Sequence, residues 1–550
     1  MHSAVAISCN QGMTRIVLAD RVEGEPRLLG TVAVPGRDVE TGLAFAEERF
    51  GRRLLAEERP IRSRGLLGDG ADAWVAVGSP ASVPLLAVLA IAPDPLLTDL
   101  AKRAAEAAMV ETHWIDATQV ASLTALAQQL VELRPRFLLL TGGSDERAWQ
   151  SAIVAVSNAL GDAFDLEVGI VIAPEAIQQL VAKTIGDQVE LMGVDPTTSQ
   201  PAEVVRAVTS EFRSRVATLL SAELKALELD RFVDRATALE RALAFLVRRA
   251  DQRVALVDLE QGMLGIWARS EGMLTLYRAG RDLEQGALGL AALGPETIAR
   301  WLPFPMTEQD ILDWLANRVM TASPFLFEWR DQLIATAAVR ALVQDLASAG
   351  PPSGMREDLT LVVLGPRLAW LPAELALLCA LDGFAPLPAG GLVSVALDEA
   401  DLLATCGALA EIDPGYAATL LERDALFPLA HVIVVAGDAM EGAIAVRGEV
   451  RAGDLVHRFA VPWGSLHVLP FPSGRSAELL VEPEAGIRIG SLEPGVAIEF
   501  AGEAALGWTR LGIVIDARGR PLRLPDDPPV RARRIRSWLA DLGVAEGVMR

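Results

Sequence analysis

Two polar segments, each following an apolar run, carry residue types that are suited to binding a phosphate and a metal. The first extends from Ser8 to Thr14, and the second extends from Asp258 to Gly262. Glycine allows a backbone N–H to approach a phosphate closely, and an acidic side chain can position Mg²⁺ and water. Residue types of this kind make both segments candidates for a phosphate-binding turn, and Asp258 is the acidic residue of the second.

Two further segments place glycine at the end of a strand-like run. FLLLTGGSD brings Thr141, Gly142, Gly143 and Asp145 to the start of a helix, and LVVLG ends at Gly365. Open α/β sheets bind ligands at the carboxyl edge of their strands, where such turns lie. For the first segment, an ordinary turn between strand and helix, with Asp145 capping the helix, explains the residues equally well.

The elements that must position these turns follow from the spacing of apolar residues. β-rich segments begin near residues 4 and 253, and strand-like and helical runs alternate over 84–194 as in the βαβ units of a parallel sheet. Helical periodicity continues over 202–249 without Pro or Gly. After 427, short strands with Gly, Pro and Asp turns predict an all-β sandwich or barrel. The predicted fold class is α/β.

The composition and net charge of the chain argue against some classes of binding partner. The 550 residues carry 72 acidic and 50 basic side chains, giving a formal net charge of −22, and 51% of them are hydrophobic. A field of this sign repels phosphate backbones and anionic lipid, so we expect no nucleic acid partner and no direct membrane insertion. The three cysteines are widely spaced, and the N-terminus resembles no signal peptide. We therefore expect a soluble cytoplasmic protein of three or four domains.

Four stretches, in the same order along the chain, resemble the accessory L-component family of glutamate mutase. That family belongs to the superfamily of actin-like ATPases, sugar kinases and heat-shock 70 proteins. The stretches are FLLLTGGSD; VALVDLEQG with RAGRDLEQG and ARWLP; the segment 359–381 followed by ALDEADLLATCGALA; and the tail segments VPWGSLHVLPFPSG and GIVIDARGRPLRLP. The likeness covers most of the chain.

The resemblance implies duplicated actin-like (ribonuclease H-like) halves with an embedded Rossmann-like parallel α/β block and a C-terminal all-β domain. The corresponding segments are 1–83 for the first actin-like subdomain, 84–200 for the Rossmann-like block, 201–250 for connecting helices, 251–426 for the second half, 427–528 for the β-domain and 529–550 for a terminal helix.

The resemblance also implies a ligand and a partner. ATP with Mg²⁺ would be held by Thr14, Thr141, Gly142, Gly143, Asp145, Asp258, Gly262 and Gly365, with Asp258 on the metal. The protein would act as a chaperone or reactivating factor for a partner such as a cobalamin-dependent mutase or a related complex.

Each nucleotide loop departs from the family pattern. Ser8 stands where the family has its metal-organising Asp, Glu260 turns a carboxylate toward the phosphates, and Pro366 removes a backbone N–H beside the adenosine. A carboxylate next to phosphates is unfavourable unless a cation compensates for it. The departures predict a pseudo-ATPase without catalytic residues, which serves as a scaffold or binds nucleotide weakly.

Two other functions remain open on the sequence. An active Mg²⁺-dependent ATPase or small-molecule kinase would need Asp258 or Asp145 to replace the carboxylate missing at Ser8. A bacterial actin-like filament or membrane-complex scaffold is the second, although neither terminus is basic or amphipathic enough to dock on a membrane.

The tail carries two further polar features. Asp516 and the Ala-Arg-Gly-Arg that follows it predict a hairpin turn. A solvated helix face is expected for the basic patch formed by Arg531, Arg533, Arg534 and Arg536.

Overall fold

Two units make up the chain. Met1–Val77, Arg235–Leu276 and Gly280–Arg550 form the first unit, and Gly78–Asp234 with Tyr277–Ala279 form the second. The computed structural model describes residues 1–9, 13–36, 38–62, 68–78, 86–108, 112–162, 166, 168–197, 200–250, 252–260, 262–278, 287–321, 326, 328–349, 359–384, 391–469 and 474–544. Within these ranges no helix is long and apolar enough to cross a membrane.

An antiparallel meander opens the first unit. Its first strand is buried at every position, as expected for the apolar run SAVAISC. The elements of this part are β1 Ser3–Cys9, β2 Met13–Val22, β3 Glu25–Pro35, α1 Val39–Phe50, β4 Leu55–Ala56, β5 Arg59–Pro60 and β6 Ala73–Gly78. β2 pairs antiparallel with β1 and with β3, and β6 lies on the other side of β1.

The second unit contains the predicted Rossmann-like block. Its elements are β7 Leu86–Ala90, α2 Pro95–Ala108, β8 Thr112–Asp116, α3 Leu123–Leu133, β9 Phe137–Thr141, α4 Glu146–Asp162, β10 Val168–Ile172, α5 Glu175–Ile185, β11 Leu191–Val194, α6 Pro201–Glu223 and β12 Arg231–Asp234. Five strands form a parallel sheet in the order β11-β10-β9-β7-β8. Separate apolar cores cover its two faces, one with α2 and α6 and the other with α3, α4 and α5.

The helical stretch predicted over 202–249 is interrupted. α6 ends at Glu223, a 3₁₀ turn and the strand β12 follow, and the next helix, α7, covers Arg235–Ala250. Glu228 adopts a left-handed backbone (φ 44°) at this break. Apolar periodicity missed the interruption because neither Pro nor Gly marks it.

The rest of the first unit repeats the opening meander and extends it. Its elements are β13 Val254–Asp258, β14 Met263–Arg269, β15 Gly272–Arg278, α8 Ala287–Ala291, α9 Pro295–Ala299, α10 Glu308–Thr321, α11 Trp329–Ala349, β16 Leu361–Leu364, α12 Ala373–Gly383, β17 Gly391–Leu397, α13 Leu402–Leu409 and α14 Pro414–Asp424. β13 pairs antiparallel with β14 and parallel with β16, which pairs parallel with β17.

The two meanders support the predicted duplication. In each, a central first strand (β1 or β13) lies between the second strand of its hairpin and a later strand, β6 or β16. The predicted α/β fold class, with a repeated β meander and an embedded parallel block, is confirmed.

Among its described residues, the C-terminal region consists of strands and one 3₁₀ turn (Gly502–Ala504) before the last helix. Its elements are β18 Phe427–Gly437, β19 Ile444–Ala452, β20 Leu455–Pro462, β21 Leu466–Leu469, β22 Glu478–Pro483, β23 Ile487–Ile489, β24 Ile498–Phe500, β25 Ile513–Asp516 and α15 Pro528–Asp541. β18, β25 and β21 extend the sheet of the second half beyond β17, whereas β20-β19-β22-β24 form a separate antiparallel sheet. A shared apolar core joins the two sheets.

Candidate functional site

The two hairpins bring the sequence-predicted loop residues of the first unit toward a buried group of charged side chains. Ser8 lies near the end of β1, Thr14 near the start of β2, and Asp258 at the end of β13. All three are buried, with exposed fractions of 4%, 0% and 3%. Residues 10–12 of the first loop and Gln261 of the second lie outside the described residues.

Arg235, the first residue of α7, occupies the centre of this group. Its Nε lies 2.5 Å from Oδ2 of Asp258, and its Nη2 lies 3.2 Å from Oδ1 of the same carboxylate. On its other edge, Nη1 and Nη2 lie 2.8 and 2.7 Å from the two oxygens of Asp401. The guanidinium therefore holds two carboxylates, each through two hydrogen bonds.

The fifth donor of Arg235 reaches the first hairpin. Nη1 donates to Oγ of Ser8 at 3.3 Å. A guanidinium has five N–H donors in a rigid plane, so these contacts use its full capacity. Ser8 thus contacts a cation at the position where the L-component family has an acidic residue.

Burial and ion pairing shift the pKa values of the carboxylates in opposite directions. Burial raises the pKa of Asp258, and neither the charge of Arg235 nor its hydrogen bonds fully offset that effect. Burial acts on Asp401 as well, but Arg235 outweighs it and lowers the pKa of that carboxyl. Burial disfavours the charged form of Arg235, yet the two carboxylates hold its pKa well above its usual value. A permanent cation therefore sits against Asp258.

A second ion pair lies in the same group. Nη1 of Arg15, on β2, lies 2.7 Å from Oε1 of Glu260, and both side chains are 2% exposed. The Arg15 guanidinium also lies 5.4 Å from the centre of the Trp370 ring, within the range of a cation–π contact. Arg15 is thus the compensating cation that a buried Glu260 requires.

The remaining predicted residues of this half are engaged within the protein. The Thr14 hydroxyl donates to the Gly36 carbonyl at 2.9 Å and accepts from the Asp38 N–H at 3.1 Å. Gly262 has φ 78°, a left-handed conformation that favours glycine in the turn between β13 and β14. Gly365 donates its N–H to the Val257 carbonyl at 2.8 Å.

A third buried carboxyl closes the group on the side of α13. Asp398 accepts the backbone N–H groups of Leu402 and Leu403 at 2.7 and 3.0 Å, so it caps the start of that helix. Burial, followed by the nearby Asp401, raises the pKa of Asp398 to about 8.

These contacts do not fit a bound Mg²⁺–nucleotide. Mg²⁺ takes oxygen ligands with strict octahedral geometry. Both oxygens of Asp258, the predicted ligand, are bound to Arg235. A guanidinium at that position would repel a divalent cation, and the Thr14 hydroxyl is already paired. Arg235 and Asp401 were not identified from the sequence, since no local pattern distinguishes a buried arginine or aspartate that pairs across the fold.

The Thr141–Asp145 turn belongs to the second unit, where it follows β9. The order of the sheet reverses between β7 and β9, which is where open α/β sheets bind ligands. However, Gly143 donates its N–H to the Ala92 carbonyl at 2.9 Å, and the Thr141 hydroxyl donates to the Leu97 carbonyl at 3.3 Å. A Cβ atom on Gly142 would come within 1.9 Å of the Ile91 carbonyl oxygen.

Asp145 performs the local role expected of a helix cap. Its Oδ1 accepts the backbone N–H groups of Arg147 and Ala148 at 3.1 and 3.2 Å, at the start of α4. The indole of Trp149 donates to the Gly143 carbonyl at 2.7 Å. Close packing against the loop after β7, together with helix capping, explains this turn without a ligand.

Comparison with known proteins gives only weak structural similarity. No protein-family profile and no curated protein sequence matches this chain. Among solved structures, it is similar to a carbohydrate kinase from Novosphingobium aromaticivorans (12% identity, 77% of this chain and 96% of that chain, TM-score 0.27). It is also similar to the type II Ppx/GppA phosphatase of Aquifex aeolicus (11%, 77% and 89%, TM-score 0.21) and to a glycerol dehydratase reactivase (12%, 66% and 91%, TM-score 0.22). TM-scores this low assign neither a superfamily nor an activity to this chain.

Proposed function

We propose that this chain is a non-catalytic accessory or scaffold protein of the actin-like class, in which ion pairs have replaced the nucleotide site. The observation that carries the proposal is the set of five hydrogen bonds from Arg235 to Asp258, Asp401 and Ser8. In this arrangement Arg235 provides the positive charge that a metal ion would otherwise provide.

Binding of Mg²⁺ and nucleotide at Asp258 would require this group of ion pairs to open. A metal ion on Asp258 would have to displace Arg235. The Arg235 guanidinium would then be buried next to the metal ion, without its carboxylate partner. Breaking a buried ion pair by removing one partner costs about 3–5 kcal/mol. Nucleotide binding would have to offset that cost before any net affinity appeared, and the Arg15–Glu260 pair would oppose it further.

Thermal unfolding and calorimetric titration with ATP and ADP in Mg²⁺ test this proposal. A ligand that binds only the folded state must raise its stability, by about 2.7 kcal/mol at a hundredfold excess over Kd. We expect neither a rise in Tm nor ATP hydrolysis that depends on Asp258. Hydrolysis that Asp258→Asn abolishes, while Asp313→Asn on the exposed face of α10 preserves it, would identify the protein as an active ATPase or kinase instead.

For the partner, we propose a cobalamin-dependent mutase or a related complex. This part rests on the likeness of the four sequence stretches to the glutamate mutase L-component family. A scaffold with a fixed ion-pair core should bind its partner equally well with and without nucleotide. Size-exclusion chromatography of the full chain with an adenosylcobalamin-dependent mutase from the same organism checks this. The absence of a complex at micromolar concentrations would reject the mutase as the partner.

A further inference from the structure

A cleft of about 490 Å³ lies in the C-terminal part of the first unit, separate from the Arg235 group. The end of β18, the turn between β20 and β21, the segment after β25 and the helix α15 form its walls. Four arginines and two tryptophans line it: Arg518, Arg520, Arg523, Arg534, Trp463 and Trp538. A volume of this size suits a small-molecule ligand.

The floor of the cleft rests on a buried ion network. Arg518 holds Asp516 through Nε and Nη2, both at 2.9 Å, and its Nη2 also lies 2.8 Å from Asp382 on α12. Arg520 pairs with Asp516 at 2.5 Å, and Arg340 on α11 lies 3.3 Å from Asp382. The turn predicted after Asp516 is therefore a buried cluster in which arginines from separate elements meet.

The ion pairs of this network join more guanidiniums than carboxylates, and the half-buried Asp541 on α15 is a further acidic group near Arg518. Three guanidiniums (Arg340, Arg518 and Arg520) share two carboxylates, Asp382 and Asp516. Within the described part of the chain, Nη1 of Arg518 and Nε of Arg520 are buried and have no hydrogen-bond acceptor. A buried N–H donor without an acceptor is costly, so an oxyanion near this network would be favoured.

The mouth of the cleft adds two further cations. Arg534 on α15 forms an ion pair with the exposed Glu441. Arg523 is exposed, and no ion pair is described for it among the residues that the structure covers. Against these, the acidic side chains in the lining are Asp438 and Glu441. The lining therefore has four basic groups and two acidic ones, in a protein whose formal net charge is −22.

Aromatic packing fixes the shape of the site. The Trp538 ring lies 4.8 Å from the Arg518 guanidinium, and its Nε1 donates to the Gly464 carbonyl at 2.8 Å. A Cβ atom on Gly519 would come within 2.5 Å of the Trp463 ring, so this tryptophan lies directly on the arginine segment. Trp463 is half-buried and offers an aromatic surface within the cleft.

We propose that this cleft binds the oxyanion group, phosphate or carboxylate, of a small molecule. Arginine recognises both groups through paired N–H donors, and a charge-assisted bond of this kind is about twice as strong as a neutral one. The buried network holds the floor of the cleft in place. Arg523 and Arg534 contact the anion, and Trp463 packs against the rest of the ligand. The site is independent of the proposed scaffold function.

Calorimetric titration of the full chain tests the proposal. The probes are inorganic pyrophosphate for the phosphate class and citrate for the carboxylate class, at constant ionic strength. We expect saturable binding of at least one probe, and the probe that binds more tightly identifies the class. Arg523→Gln and Arg534→Gln should each weaken binding by about tenfold, since each removes one charge-assisted contact. Arg533→Gln, on the exposed face of α15, should leave the affinity unchanged.

Two results would overturn the proposal. One is the absence of saturable binding of either probe to the wild-type protein. The other is an equal loss of affinity in all three arginine variants, which would indicate general attraction to a basic helix. Unfolding midpoints equal to that of the wild type establish that the variants are folded. ATP binding that survives Asp258→Asn but is lost in Arg523→Gln would belong to this cleft, so the test separates it from the nucleotide question.

Discussion

Gly365 lies directly against Asp258. A Cβ atom at position 365 would come within 2.7 Å of Oδ1 and 3.1 Å of Cα of Asp258. The family resemblance assigned Gly365 to the nucleotide site. In the structure, its lack of a side chain makes room for the Asp258 carboxylate that Arg235 holds. Its small size serves the ion-pair group.

This contact predicts the effect of Gly365→Ala. The added methyl group must displace Asp258 from Arg235, and overpacking of this kind costs about 1–3 kcal/mol. Urea unfolding should report the loss. Gly272→Ala is the matched control, because a Cβ atom there meets nothing within 4 Å. Its effect should stay within about 0.5 kcal/mol. Equal stability of the two variants would contradict the packing argument.

Removing the central cation should destabilise the first unit strongly. Arg235→Met leaves Asp258 and Asp401 buried without their partner, at a cost of about 3–5 kcal/mol. Adding Asp401→Asn to this variant should recover part of the loss, because it neutralises the carboxyl whose pKa Arg235 lowers. Urea unfolding of both variants measures the coupling.

The control for this experiment lies on the same helix. Arg241 pairs with Glu411, but the two side chains are 39% and 31% exposed. Exposed pairs contribute about 0–1 kcal/mol, so Arg241→Met should have a small effect. A loss for Arg235→Met no larger than this would show that the buried pairs do not stabilise the fold.

The stability of the protein should fall as the pH rises through about 8, because of Asp398. Its folded pKa of about 8 lies above its usual value of 3.8, so the folded state holds a proton that the unfolded state has released. The stabilisation is complete below the unfolded pKa and disappears above the folded one. Between pH 7 and 9 the loss should be on the order of 1 kcal/mol.

Unfolding measured at these two pH values checks the Asp398 prediction. Asp398→Asn cannot ionise and keeps an acceptor for the N–H groups at the start of α13, so its stability should change less over the same range. A pH dependence identical to that of the wild type would mean that another group is responsible.

Asp145→Ala should weaken the second unit through a lost helix cap. The carboxylate accepts two N–H groups at the start of α4, and such a substitution costs about 1 kcal/mol. Asp145→Ser retains a capping oxygen and should restore most of the loss. Amide hydrogen exchange in the first turn of α4 reports the local effect. If Asp145→Ala leaves exchange unchanged, the capping interpretation is wrong.

Much of the architecture could be predicted from local sequence patterns. Alternating apolar runs predicted the parallel block, and two similar β-rich openings predicted the duplicated halves. At Glu260 the sequence raised the need for a compensating cation beside bound phosphates; the structure pairs this carboxylate with Arg15. These inferences hold because periodicity and charge compensation act on short segments or on single side chains.

The tertiary structure alone decided what fills the predicted nucleotide site. Arg235 is 227 residues from Ser8 and 166 from Asp401, and no periodicity connects such positions. The tertiary structure also showed that β18, β25 and β21 continue the sheet of the second half, and that α6 and α7 are separate helices. Pairing of buried charges and of strand edges is settled by long-range packing. Whether a phosphate-binding pattern still offers its groups to a ligand therefore depends on which distant side chains already occupy them.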